Sequence, residues 1–128
     1  MPAQEHVKAA FTFLEQSGEE FEAGDILQGS EKLWGAAAHA AMAAALLRGW
    51  SVGSHRNLVD AMRHLSGERN DESLEMGFSL ARKFQGNFYG QGRFDPFSGD
   101  GSMDRDRELI ANHVHKVLGI AMESPSDG

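Results

Sequence analysis

The sequence has no cysteine. It therefore lacks disulfides, thiolate zinc ligands and cysteine nucleophiles, an absence typical of proteins from a reducing cytoplasm. It also lacks a long hydrophobic run, because the longest nearly uncharged stretch, residues 33–47, is shorter than the roughly 20 residues of a membrane-spanning helix. Residues 1–6 lack the basic and apolar regions of a signal peptide. We therefore expect a cytoplasmic protein that does not contact membranes.

Positive charge is scarce, and the net charge of the 128 residues is −7. Residues 1–47 and 94–128 are acidic, whereas residues 48–93 carry seven basic and five acidic side chains. An acidic chain binds a phosphate backbone poorly, so we expect no DNA binding. A local basic face in the middle segment is compatible with this expectation, although a solvated surface of mixed charge is the commoner origin of such a segment.

Apolar residues recur at helical spacing, and no useful length alternates with period two. The pattern predicts helices at residues 3–23, 25–48, 55–65, 71–88 and 103–121, with a polar turn at 66–70 and a long glycine-rich loop at 89–102. Five helices, four of them long, predict an all-α, up-and-down bundle. We expect one domain over residues 1–123, followed by a flexible tail at 124–128.

The second predicted helix has one polar side chain, His39, within residues 33–47. A helix that is apolar on all sides lies at the centre of a domain or an oligomer, so this segment favours a buried position and a homodimer. A capping pattern at residues 17–20 could divide the first helix, but its apolar spacing favours a continuous one. The expected buried stripe of the first helix consists of Val7, Phe11, Leu14, Gly18 and Phe21.

Three residues of the second helix are candidates for a ligand pocket: Glu31, Trp34 and His39. Glu31 and His39 lie eight positions apart, about 80° around a helix, and could line opposite ends of one pocket. A core histidine with a hydrogen-bonded partner and a core tryptophan are the commoner roles of such residues. Phenylalanines near Arg82 and Lys83 could likewise stack on the bases of single-stranded RNA, although a core role is commoner.

Metal and cofactor motifs are missing from the sequence. His113 and His115 point about 200° apart on a helix, so they cannot bind one metal ion together. The acidic, glycine-rich residues 95–104 do not have the spacing of an EF-hand loop. We therefore expect neither a metal site nor a cofactor.

Residues 21–39 and 53–59 resemble the second helix and the start of the next helix in the HEPN superfamily. The resemblance spans roughly residues 5–90 and rests on helix order and the pattern of small residues. It implies an up-and-down bundle of about five helices that is usually dimeric. Many members of this superfamily are RNA-cleaving toxins or accessory modules, and others have no known activity.

Ribonuclease members of that superfamily carry an arginine and a histidine separated by four to six residues. Arg107 and His113 fit this spacing, although Glu108 stands where active members commonly have asparagine, aspartate or histidine. The resemblance implies that His113 would act as base or acid at the ribose 2′-hydroxyl and that Arg107 would stabilise the phosphorane. We expect a homodimeric binding module with an RNA, nucleotide or protein partner. The alternative is a metal-independent ribonuclease that uses Arg107 and His113.

Overall fold

The computed structural model describes residues 1–89 and 102–123. Within these residues it contains five helices and no strand, and this confirms the predicted all-α bundle. The helices are α1 (Ala3–Glu22), α2 (Ile26–Leu47), α3 (His55–Arg69), α4 (Ser73–Tyr89) and α5 (Ser102–Ala121). No helix in the described ranges is both long enough and apolar enough to span a bilayer.

Short polar and glycine signals set the ends of α2 and the start of α3. Asp25 caps α2 by accepting a 3.0 Å hydrogen bond from the Gln28 amide. Gly49 follows α2 with a φ of +76°, a left-handed conformation that glycine adopts without steric cost. Ser54 caps α3 by accepting a hydrogen bond from the Asn57 amide. These local signals place the connection between α2 and α3 where the sequence predicts it.

Helix α2 lies at the centre of the bundle and packs against all four other helices. Its alanines are nearly all buried, and their small side chains let neighbouring helices approach closely. The inner faces of α4 and α5 are also buried: Leu74, Phe78, Ala81 and Phe84 on α4, and Ile110, Val114, Val117 and Ala121 on α5. The central position of the second helix is therefore confirmed.

The buried face of α1 differs from the predicted stripe. Phe11 is 39% exposed, whereas His6, Ala10 and Ser17 are buried. Val7, Leu14 and Phe21 of the stripe are only partly buried against the core, and the Phe21 ring packs over Gly29 of α2. Ser17 donates a 2.9 Å hydrogen bond to the carbonyl of Gly29, a bond that draws the two backbones together.

Helix α3 continues to Arg69, so the helix end predicted at residue 65 was wrong. Ser66 is buried instead of standing in a polar turn, because its hydroxyl donates to the Asp71 carbonyl and accepts from the Glu75 amide. The helix ends one turn later, at Asn70, which takes the left-handed conformation. Of the predicted loop at 89–102, only the two ends are described, and they belong to α4 and α5. Residues 124–128 lie outside the described ranges.

Candidate functional site

A groove runs between α4 and α5, and we call it the α4–α5 groove. It has a volume of about 580 Å³. Its lining includes Met76, Gly77, Leu80, Lys83, Leu109 and His113. Met76 is 65% exposed and Leu109 is 56% exposed, one from each helix. Two large apolar side chains left in water along one groove are typical of an interaction surface.

His113 lies at this groove but is only 5% exposed. Neither of its ring nitrogens has a hydrogen-bond partner among the described residues. Burial, with a smaller contribution from the charge of Lys116, lowers the pKa of His113 to about 4. A Cβ atom at Gly77 would lie 2.6 Å from the imidazole, so the ring fits only because this position is glycine. The imidazole is therefore neutral near pH 7.

Arg107 points into a different recess of about 400 Å³, which Ser17, Gly18 and His115 also line. Its guanidinium carbon lies 3.8 Å from the centre of the Phe21 ring, and its Nη1 is 3.5 Å from the Asp104 carboxylate. Six helical positions separate Arg107 from His113, a rotation of about 120° between their directions. The structure therefore does not bring these two side chains together within one chain.

His115 is the histidine that shares the recess of Arg107. The eight positions between them leave about 80° of rotation, so both side chains can line one hollow on the same side of α5. From the sequence, His115 is a candidate only for metal binding, together with His113. The spacing of eight positions between Arg107 and His115, which places both on one side of a helix, is the sequence signal for this pairing.

The predicted pocket of Glu31, Trp34 and His39 is divided in the structure. Glu31 and Trp34 line one recess with Phe13, but His39 does not line it. The imidazole of His39 instead stacks on Phe13, with ring centres 5.4 Å apart and planes 22° apart. Phe13 thus separates His39 from the other two predicted residues.

His39 forms a pair with His6, a residue that sequence analysis did not select. The Nδ1 atoms of the two rings are 2.8 Å apart, so one ring donates a hydrogen bond to the other. Burial is the main cause that lowers the pKa of both, and for His6 the neighbouring His39 adds to it. Since the accepting nitrogen must be unprotonated, this contact between α1 and α2 requires at least one neutral imidazole.

A second recess, of about 300 Å³, lies beside the α4–α5 groove and shares Ser79 and Lys83 with it. We call it the cationic recess; its lining residues are Trp34, His55, Ser79, Arg82 and Lys83. The rings of Trp34 and His55 stack with centres 5.2 Å apart and planes 16° apart. Desolvation first, and the charge of Arg82 second, lower the pKa of His55. The recess is assembled from α2, α3 and α4, so no local spacing could have predicted it.

No group of three or more histidine, aspartate or glutamate side chains within residues 1–89 and 102–123 is arranged to hold a metal ion. The hollows of the described residues include the apolar groove, the cationic recess and a recess of about 920 Å³ that exposed Leu47 and Met122 line. They also include the separate hollow of Arg107 and His115.

Comparison with known proteins gives a family for this chain. No curated protein and no solved structure matched it. The family model described as the archaeal PaREP1/PaREP8 family matches residues 5–98, most of the chain. This match does not test the resemblance to the HEPN superfamily, which stays a prediction. On the extent of the match, the chain belongs to the archaeal PaREP1/PaREP8 family.

Proposed function

We propose that this chain is a cytoplasmic binding module that pairs with a second copy of itself through the α4–α5 groove. The observation that carries the proposal is the exposure of Met76 and Leu109 on the two helices of the groove. Burying apolar surface is favourable by about 25 cal/mol per Å². A partner that covers both side chains therefore gains free energy that the isolated chain does not.

A second copy fits this surface because of helix geometry. In a two-fold symmetric contact, each chain presents the same patch to the other. When α4 and α5 of one chain face α4 and α5 of a second copy, the four helices form a bundle. In this bundle the side chains of α4 in one chain pack near those of α5 in the other. The resemblance to HEPN proteins, which are usually dimeric, supports the same assembly. The paired chains would then present the rest of their surface to an RNA, nucleotide or protein partner.

Charge introduced into the groove tests the pairing. We expect Met76→Glu and Leu109→Glu each to shift the protein from dimer to monomer, because two carboxylates would be buried without partners. Light scattering and sedimentation at micromolar concentration measure the mass. Leu47→Glu is the matched control, since Leu47 is 56% exposed like Leu109 but lies outside the groove. A monomeric wild-type protein, or equal dissociation by Leu47→Glu, would contradict the proposal.

The alternative function is metal-independent RNA cleavage. It is favoured by the hollow in which Arg107 and His115 lie together, since a histidine can remove the 2′-hydroxyl proton while an arginine stabilises the phosphorane. The sequence expectation instead assigns the histidine role to His113. Incubation of labelled single-stranded RNAs with the wild type and with Arg107→Ala, His113→Ala and His115→Ala distinguishes these assignments. Intact RNA after incubation with the wild type would exclude this function.

A further inference from the structure

We propose that the cationic recess binds the phosphate group of a small phosphorylated ligand. The recess is lined by side chains from three helices: Trp34 from α2, His55 from α3, and Ser79, Arg82 and Lys83 from α4. This site is distinct from the predicted pocket of Glu31, Trp34 and His39, with which it shares only Trp34. Because Ser79 and Lys83 also line the α4–α5 groove, the recess adjoins the proposed pairing surface, and its phosphate affinity is measured at one fixed protein concentration.

The cations of this recess lack a counter-charge among the described residues that line it. The chain has a net charge of −7, yet no acidic side chain of residues 1–89 or 102–123 lines this recess. Five other cationic side chains of the described residues each lie within 4.0 Å of a carboxylate: Arg48, Arg63, Arg69, Arg107 and Lys116. Arg82 and Lys83 have no such ion pair within the same ranges, nor have Lys8, Lys32 and Arg56, but Arg82 and Lys83 line one recess together. They also lie beside His55, whose pKa is lowered partly by the charge of Arg82. A bound anion would neutralise charges that otherwise repel each other.

The hydrogen-bond donors that line the cationic recess suit a phosphate group. The guanidinium of Arg82 offers parallel N–H groups that match two oxygens of a phosphate, and the ammonium of Lys83 adds a further charge. The Ser79 hydroxyl is a third donor at the same recess. Two permanent cations together favour a group that carries nearly two negative charges, such as a terminal phosphate, over a single carboxylate.

The size and shape of the cationic recess favour a small ligand. The recess holds about 300 Å³, which is compact, and its cations are grouped at one place instead of forming a track. Single-stranded RNA is usually bound along a positively charged groove that follows several phosphates. A compact group of cations therefore fits the end of a small ligand better than a continuous phosphodiester backbone.

Amide chemical shifts and tryptophan fluorescence can measure this binding. Trp34 lines the recess, and Trp50→Phe removes the only other tryptophan. The Trp50→Phe protein is titrated with inorganic phosphate and with tripolyphosphate, in chloride buffers of constant ionic strength. We expect saturable shifts centred on residues 55 and 79–83, with tighter binding of tripolyphosphate. Arg82→Gln should weaken binding at least about tenfold, since an interaction of an arginine with phosphate contributes more than about 1.4 kcal/mol.

Lys8→Gln is the matched control, because Lys8 is exposed, lies on α1 and has no carboxylate partner among the described residues, yet is outside the recess. Its affinity for both anions should equal that of the parent protein. Shifts that never saturate, or equal weakening by Lys8→Gln and Arg82→Gln, would overturn the proposal by showing only general ionic attraction. A short RNA without a terminal phosphate that displaces tripolyphosphate would overturn the assignment to a small ligand and indicate a nucleic-acid site. Thermal unfolding of each variant establishes that it is folded.

Discussion

At the scale of single residues, the environment of His113 is the most unusual feature of the described structure. A buried polar group normally has a hydrogen-bond partner, and leaving one without a partner costs about 1–3 kcal/mol. Among the described residues neither ring nitrogen of His113 has such a partner, and the ring lies beside a glycine that makes room for it. Its packing against Phe78, with ring centres 6.3 Å apart, offsets part of the cost.

We therefore expect His113→Leu to raise the free energy of unfolding by about 1–3 kcal/mol, because leucine has a similar volume and no polar atoms to desolvate. Chemical denaturation at pH 7.5 measures the change. His115→Leu is the control, since His115 is exposed and its substitution should alter stability by less than about 0.5 kcal/mol. A fall in stability for His113→Leu would show that the imidazole has a partner in solution.

The histidine pair also shows what residue patterns can predict. His39 stands out in the sequence as the one polar side chain of an alanine-rich segment, and a hydrogen-bonded core histidine was the commoner role considered for it. Its partner His6 lies 33 positions away, on a different helix. Helical periodicity gives the direction of each side chain on its own helix, but not the relative height of two packed helices. The identity of the partner therefore required the structure.

At the scale of elements, α2 was predictable because its signals are local and agree with one another. The capping pattern at Asp25, the apolar sequence and Gly49 all indicate the same ends and the same buried position. For α1 and α3, local signals and tertiary packing disagree. The predicted stripe of α1 matches its inner face only in part, because Phe11 is exposed whereas His6, Ala10 and Ser17 are buried. Polar Ser66 indicated a turn, but its hydroxyl joins α3 to the start of α4.

The candidate sites likewise include features that local spacing predicts and features that depend on how the helices pack. Exposed Met76 and Leu109 belong to two helices whose pairing depends on the connection between them, so the α4–α5 groove was not visible in the sequence. The distinct directions of Arg107 and His113, in contrast, follow from helical spacing alone. Local geometry could thus have separated these two residues, whereas the cationic recess needed three helices to be in place.

At the scale of the whole molecule, three buried or half-buried histidines make stability depend on pH. Burial lowers the pKa values of His6, His39 and His113 in the folded chain. Because the unfolded chain then binds protons more readily, the stability that these groups contribute is complete above their unfolded pKa of about 6.5 and is lost as the pH falls. For His113 this loss extends down to its folded pKa of about 4.

The carboxylates titrate in a lower range. Hydrogen bonding by Arg48 lowers the pKa of Glu68, hydrogen bonding by Arg69 lowers that of Glu123, and hydrogen bonds from Ser73 and Lys116 lower that of Asp71 to about 2. These groups stabilise the folded chain above their ordinary pKa values near 4 and lose that effect as the pH falls through the folded values. The interval from pH 7 to pH 5 therefore reports mainly on the histidines.

We expect the free energy of unfolding to fall by at least about 2 kcal/mol between pH 7 and pH 5. This minimum is the contribution of His113 alone, and the other histidines with lowered pKa values add to it. Urea denaturation at four pH values and one fixed protein concentration measures the slope, since self-association would otherwise change the apparent stability. His113→Leu should remove most of this slope while leaving the smaller part due to His6, His39 and His55. A wild-type stability that is constant from pH 7 to pH 5 would mean that His113 reaches solvent or a proton acceptor when folded. An unchanged slope in His113→Leu would assign the dependence to the other histidines with lowered pKa values, His6, His39 and His55.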